Sequence, residues 1–261
     1  AWSDEPWINE GAAVRVSLVC FERGPAAVAD SCLDGVLVES IQADLTAGGV
    51  GTGGDLTTAR PLGENAGRSF EGTKKYGDFD IPGALARQWL VLPNPNGKSN
   101  REVVKPWANG QDVTGRASDT WIIDFGVNMP EEQAALYEAP FGHVLTNVKP
   151  YRDTVRRERT RRRWWIHEEA RVALREALAP LSRFIATPRV AKHRLFVWLP
   201  LVVLPDTRLC VIARDDDATF GILHSRIHEV WSLANASMHG VGNDPTYNAK
   251  SCFETFPFPE G

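Results

Sequence analysis

Apolar and polar positions alternate along "GAAVRVSLVCFERG" (11–24), with Val14, Val16 and Leu18 set against Arg15 and Ser17. A period of two predicts a strand, here one that is well buried toward its VCF end. "LDGVLVESI" (33–41) predicts a second short strand. Together the two predict a hairpin, or the last strands of a larger sheet. The pattern lapses over 46–80, which is rich in glycine and poor in aliphatics and reads as an extended connecting segment. "PNPNGKSN" (93–100) is another loop, and "DTWIIDFG" (119–126) a buried strand. "MPEEQAALYEAPFGHVLTNVK" (129–149) opens with Pro130 in a first-turn position beside acids, which suits a helix N-terminus. "RFIATPRVAKHRLFVWLPLVVLPDTRLCVIAR" (183–214) predicts strands around short loops. "DDDATFGILHSRIHEVWSLANA" (215–236) predicts one helix, capped by Asp216 or Asp217, with Phe220, Leu223, Ile227, Val230, Trp231 and Ala234 as its apolar stripe. The tail "TYNAKSCFETFPFPEG" predicts an irregular strap that packs its aromatics. Short strands mixed with helices predict a mixed α/β (α+β) fold.

Composition narrows the picture. The chain has 261 residues, 43% of them hydrophobic, enough for one large domain or two small ones. No apolar run reaches the ~18 residues of a membrane helix, no secretory signal is present, and a cytoplasmic protein without a membrane partner is expected. The chain opens AWSDEPW without a methionine, so catalytic machinery is expected outside it. Cys20, Cys32, Cys210 and Cys252 are scattered. That argues against structural zinc and for buried free thiols.

Charge is distributed unevenly. The chain carries 29 Lys+Arg and 33 Asp+Glu. Of these, 14 and 5 lie between Lys149 and Arg194, a net of +9 against −13 for the other 215 residues. The focus is "TVRRERTRRRWW" (154–165), where six of the eight residues from Arg156 to Arg163 are arginine. On a continuous helix Arg152, Arg156, Arg159 and Arg163 fall within a stripe about 60° wide. Such a face can hold phosphates through paired guanidinium donors, or it can be solvated or paired with acids. Trp164 and Trp165 are stacking platforms for bases or, more in keeping with their place at a helix end, anchors to the core. Arg189, Lys192, His193 and Arg194 share a turn between apolar strands, where they suit either base edges or an ordinary basic hairpin.

Three weaker motifs favour structural roles: a flexible loop, packing or polar hydrogen bonding, and a helix cap. "GGVGTGG" (48–54) lacks the helix that a nucleotide-binding glycine loop needs after it. His224 and His228 stand four apart, but Ser225 replaces the glutamate of the zinc-protease pattern. The acids of "RDDDA" (214–218) are better explained as a helix cap than as a metal cluster. No nucleophile elbow and no phosphate-binding loop occurs.

Taken in order, "GAAVRVSLVCF", "SFEGTKKYGDFDI", "WLVLPNPNGKSNREVVKPWANGQDVTGR", "WIIDFG", "RFIATPRVAKHRLFVWL", "FGILHSRIHEVW" and "FETFPFP" give a chain that resembles the C-terminal half of MmeI-like, type IIL DNA adenine methyltransferases. The resemblance implies closing strands of a methyltransferase domain at 1–42 and a Gly-rich connector at 43–79. It implies a target recognition domain with a small mixed sheet and flanking helices at 80–215, and a helical C-terminal region at 216–261. It implies double-stranded DNA as partner, alongside an upstream methyltransferase domain of the same polypeptide that uses S-adenosylmethionine. The family's [DNS]-P-P-[YF] motif is missing, its nearest string being "LPNPNG", so no catalytic residue carries over and no cofactor is expected in this chain. Sequence-specific DNA recognition without methylation is expected, with Arg152, Arg156, Arg159 and Arg163 on phosphates and Arg189, Lys192, His193 and Arg194 on base edges. The alternatives are an RNA- or single-strand-binding module with Trp164 and Trp165 exposed, a protein-docking domain, and a complete enzyme of unrecognised site.

Overall fold

A computed structural model describes residues 1–23, 30–49, 56–239 and 244–259. Residues 50–54 of the Gly-rich motif lie outside them. The chain divides into two compact units, Ala1–Arg60 with Ser237–Asp244, and Pro61–Ala236 with Pro245–Gly261.

In the first unit, β1 (Trp2–Asn9) and β2 (Ala12–Leu18) form an antiparallel hairpin. The two turn residues, Glu10 and Gly11, both have positive φ, +48° and +84°. That is the two-residue turn whose twist matches its strands. β3 (Ser31–Leu33) and β4 (Val36–Val38) repeat the device around Asp34–Gly35, and β5 (Ser40–Ile41) pairs with β6 (Ala47–Gly48). The expected pairing of 11–24 with 33–41 is therefore replaced. The hairpin partner of β2 is Trp2–Asn9, whose polar-apolar pattern is too irregular to announce a strand. Nor is β2 buried toward its end: Phe21 is 92% exposed, and Val19 and Cys20 are exposed too.

The second unit holds two four-stranded sheets among the described residues. Its elements run β7 (Ser69–Glu71), β8 (Asp80–Pro82), α1 (Gly83–Trp89), β9 (Val104–Ala108), α2 (Gly110–Thr114), β10 (Thr120–Ile123) and α3 (Glu131–Ala134). Next come α4 (Glu138–Asn147), α5 (Lys149–Thr154), α6 (Glu158–Arg162), α7 (Val172–Leu178), β11 (Arg183–Pro188), β12 (Val197–Pro200), β13 (Leu204–Pro205) and β14 (Leu209–Ile212). The series closes with α8 (Asp217–Leu223) and α9 (Arg226–Ala234). One sheet is mixed, in the order β13-β9-β10-β8, with β13 parallel to β9. The other is antiparallel, in the order β12-β11-β14-β7. The expected mixed α+β class is what the chain adopts.

The apolar runs 184–186 and 209–212 are continuous because β11 and β14 are buried on both faces. Phe184, Ala186, Leu209 and Val211 meet Leu174 of α7 on one side. Ile185, Cys210 and Ile212 meet Leu223, Tyr247, Cys252 and Phe253 on the other. The tail packs its aromatics as expected, but it is not irregular throughout: Ala249–Glu254 winds into a short π-helix capped by Asn248, and the Tyr247 amide before it donates to the Arg189 carbonyl at 2.7 Å. Cys210 and Cys252 are the buried free thiols, whereas Cys32 is half-buried. Part of the expected connector is sheet, because Ser69–Glu71 zips onto β14.

Two helices differ from expectation. Pro130 is the cap of a single turn, and a second helix starts after Tyr137. The C-terminal helix breaks at Ser225, which caps α9 by accepting from the His228 amide at 3.2 Å. The break rotates α9, so His228 and Ser232 face inward while Ile227 is 75% exposed. The apolar stripe predicted across the break does not form one buried face. Asp216 is the cap of α8, as expected, accepting from the Thr219 amide at 2.6 Å. Among the described residues no helix is long and apolar enough to cross a membrane.

Candidate nucleic-acid interface

The arginine segment is not one helix. α5 ends at Thr154, Val155 is extended (φ −73°, ψ 138°), and α6 starts after Arg157. A continuous helix would stack Arg152, Arg156, Arg159 and Arg163 at like-charge spacings of three and four, each pair unfavourable by about 0.2–0.5 kcal/mol. The break dissolves that stripe and gives the arginines separate fates.

Arg152 turns inward, and its side chain is 1% exposed. It donates to the carbonyls of Tyr76 (2.9 Å), Lys75 (2.8 Å) and Ile166 (3.3 Å) and lies 3.6 Å from Glu168. Burial lowers its pKa, with Glu168 opposing. Its expected place on a phosphate-facing stripe is lost to this internal role, because loop carbonyls that need donors surround it. Arg157 pairs with Glu168 at 2.9 Å, Arg162 with Glu158 at 2.7 Å, and Arg161 donates to the Val155 carbonyl at 3.0 Å. Arg163 is half-buried and donates to the Val127 carbonyl and to Asn128 Oδ1. Burial works against the Glu168 carboxylate, but the Thr160 hydroxyl, Arg157 and Arg152 outweigh it and hold its pKa below the ordinary value.

Arg156 and Arg159 are exposed, and neither guanidinium has a hydrogen-bond or ion-pair partner among the described residues. Each opens into a cleft, and the two clefts share Glu168 as a wall. Arg159 lines one of about 250 Å³ with Arg163 and Arg171. Arg156 lines one of about 420 Å³ with Lys74, Tyr76, Tyr151 and Arg157.

The basic turn divides as well. Arg194 is drawn in, donating to Thr187 Oγ1 (3.1 Å) and to the carbonyls of Pro188 and Pro245, with Tyr247 beneath its guanidinium. Arg189 pairs with Glu71 at 3.0 Å. Lys192 and His193 are exposed at the bend, with no partner among the described residues. Arg194 thus holds the turn that displays them.

Sequence reasoning missed the residues that connect these parts. Glu71 also pairs with Arg171 (2.8 Å), Arg171 with Glu169 (2.8 Å), and Glu169 approaches Lys74 (3.7 Å). This ionic chain runs from the basic turn to both clefts. Arg171 lay within the net-basic segment and so carried a signal. Lys74 and Glu71 lie in the connector, far off in sequence, where only the resemblance of "SFEGTKKYGDFDI" marked the stretch and nothing marked these two side chains.

Beneath the clefts His167 and Asp124 are buried. His167 donates from Nε2 to the Ile123 carbonyl at 2.8 Å, and Arg175 pairs with Asp124 at 2.8 Å. Burial drives the His167 pKa down to about 4. Burial would raise the Asp124 pKa, but His167 and Arg175 hold it below its ordinary value. Trp164 and Trp165 are core residues, the Trp165 indole donating to the Met129 carbonyl at 2.8 Å. His228 is buried against the Tyr247 hydroxyl at 2.9 Å. His224 packs edge-on to Phe196, and its Nε2 accepts from the Phe196 amide at 3.4 Å. The acids at 215–217 have separate tasks, Asp215 accepting from Ser182, Asp216 capping α8 and Asp217 pairing with Arg183. Among the described residues no group of His, Cys, Asp and Glu is placed to hold a metal ion.

Against solved structures, this chain is similar to the type IIL restriction-modification enzyme MmeI in its complex with DNA, with a TM-score of 0.60 at 15% identity. The match covers 86% of this chain and 29% of that one, so this chain spans less than a third of that protein's length. The likeness shows a related fold. No family model matches the sequence, and no curated protein matches it.

Proposed function

We propose that this chain recognises a sequence in double-stranded DNA as the recognition part of a restriction-modification adenine methyltransferase. One observation carries the reading. Among the seven arginines from Arg152 to Arg163, the guanidinium groups of Arg156 and Arg159 alone lack a protein partner among the described residues, and both open onto clefts of a chain that is otherwise acidic. Unpaired guanidinium groups in a rigid frame suit phosphate oxygens, and a basic focus on an acidic body concentrates a polyanion locally. The related fold of an enzyme solved with DNA supports the same reading. Arg156 and Arg159 are the phosphate contacts, with Arg163 at their edge. Lys192 and His193 are the base-edge contacts, on a turn fixed by Arg189 and Arg194. S-adenosylmethionine and the catalytic residues belong to a methyltransferase domain of the same polypeptide that precedes this part. The single-strand alternative rested on exposed Trp164 and Trp165 as stacking platforms, and both are buried.

The test is a salt titration of duplex binding. Binding constants should fall steeply as salt rises, and Arg156→Ala/Arg159→Ala should reduce the slope of log K against log salt by about 2. Duplex binding that is absent, or indifferent to salt, would overturn the reading.

A further inference from the structure

The larger cleft combines two chemistries that phosphate binding alone does not need. Tyr76 and Tyr151 stand 41% and 47% exposed, with ring centroids 5.6 Å apart at 56°. Lys74, Arg156 and Arg157 share the cleft walls with them. Its volume of about 420 Å³ lies within the roughly 300–1,000 Å³ of small-ligand sites.

The frame around Tyr76 is fixed from several directions. Tyr76 has φ +54°, a left-handed conformation that costs a bulky residue energy. Arg152 grips the Tyr76 and Lys75 carbonyls from within the core. Lys74 and Glu169 exchange backbone hydrogen bonds, both 3.1 Å. The Glu168 amide donates to Lys75 O at 3.4 Å. Tyr151 neighbours Arg152 on α5, so one buried guanidinium locates both rings. Exposed tyrosine rings beside the unpaired Arg156 guanidinium, with Lys74 held only loosely at 3.7 Å from Glu169, are what a single base–sugar–phosphate unit requires, the base stacking on a ring and the phosphate meeting a guanidinium.

We infer that the cleft between Tyr76, Tyr151, Lys74 and Arg156 is a subsite for one unstacked DNA nucleotide, its base on the tyrosine rings and its phosphate on Arg156 and Lys74. This rests on the DNA-binding reading above and adds to it a strand-distortion function. Arg152 is a positioning residue for the subsite and touches no nucleotide.

The experiment compares two duplexes of one sequence, fully paired and with a single unpaired nucleotide at the centre. The whole chain is titrated with each at low salt. Wild type should prefer the duplex with the unpaired nucleotide by about 5- to 150-fold, the range of one base–aromatic stack. Tyr151→Phe should retain that preference and Tyr151→Ala should lose most of it, while both keep the wild-type melting temperature, since Tyr151 is half exposed. Equal binding of the two duplexes by wild type, or a preference that survives Tyr151→Ala, overturns the subsite and leaves the DNA-binding reading standing. Failure to bind either duplex overturns both.

Discussion

Replacing Arg152 separates a structural arginine from those proposed to face DNA. Its side chain, 1% exposed, supplies three carbonyls with donors and approaches Glu168. In Arg152→Met the aliphatic volume remains while the donors vanish. Each carbonyl left without a partner costs about 1 kcal/mol, or about 2 kcal/mol for those of Tyr76 and Ile166, since Lys75 O keeps the Glu168 amide. Glu168 adds little, because Arg157 and the Thr160 hydroxyl still hold it. The sum falls short of the ~3–5 kcal/mol for breaking a buried pair, because Glu168 keeps its other donors, and it is still a sizeable share of the ~5–15 kcal/mol that stabilises a domain. Urea denaturation should show a lower midpoint at unchanged m-value. Arg156→Ala and Arg159→Ala, at exposed and unpaired positions, should change stability by about 0.5 kcal/mol or less, and each should reduce the salt slope of DNA binding by about 1. The reasoning is refuted if Arg152→Met keeps wild-type stability and lowers the salt slope, for Arg152 would then face the DNA.

Three further outcomes follow from the geometry. His167 and His228 are buried with pKa values lowered to about 4 from an ordinary 6.5. The unfolded chain therefore binds more protons between those values, and stability should be intact above pH 6.5 and fall as pH drops toward 4, by a few kcal/mol in all; a midpoint that stays flat from pH 7 to 4.5 in urea titrations would contradict it. Gly72→Ala should destabilise the sheet that joins β7 to β14 by about 2 kcal/mol or more, because its methyl would collide with the backbone carbonyls of Asp206 and Pro205; a thermal melt unchanged by the substitution would show that the strand can shift. Leu223→Ala, at a fully buried position, should cost about 2–5 kcal/mol in denaturant titrations, whereas Ile227→Ala, on the exposed face of α9, should cost about 0.5 kcal/mol or less.

Much of the second unit was legible in the chain. The apolar runs within 183–214 announce strands around short loops, and β11 and β14 are such strands. The acids before α8 announce a cap, and Asp216 is that cap. The tail's aromatics announce packing, and Tyr247, Phe253 and Phe256 are buried. The failures have a common form. A helical stripe was projected through Ser225 and through Val155, but a serine that caps by accepting from the amide three residues on, or a single extended residue, resets the helix phase. Residues on either side then face unrelated directions. The exposed end of β2 escaped for a similar reason, since alternation marks a strand without saying what covers it.

By itself the sequence determined that cationic charge is concentrated between Lys149 and Arg194, that Trp164 and Trp165 are better suited to a core than to a surface, and that short strands and helices mix in one fold. These are local properties of composition, period and cap chemistry, and neighbours a few residues away decide them. Only the tertiary structure decided which arginines are free. Whether a guanidinium turns inward depends on carbonyls and carboxylates brought near by folding, and those that claim Arg152 come from positions 75 and 76 as well as 166 and 168. A buried cation holds its place where such acceptors converge on it. Arg156 and Arg159 meet none and are left to solvent at the clefts, a distinction that seven arginines in one short segment do not carry in their order.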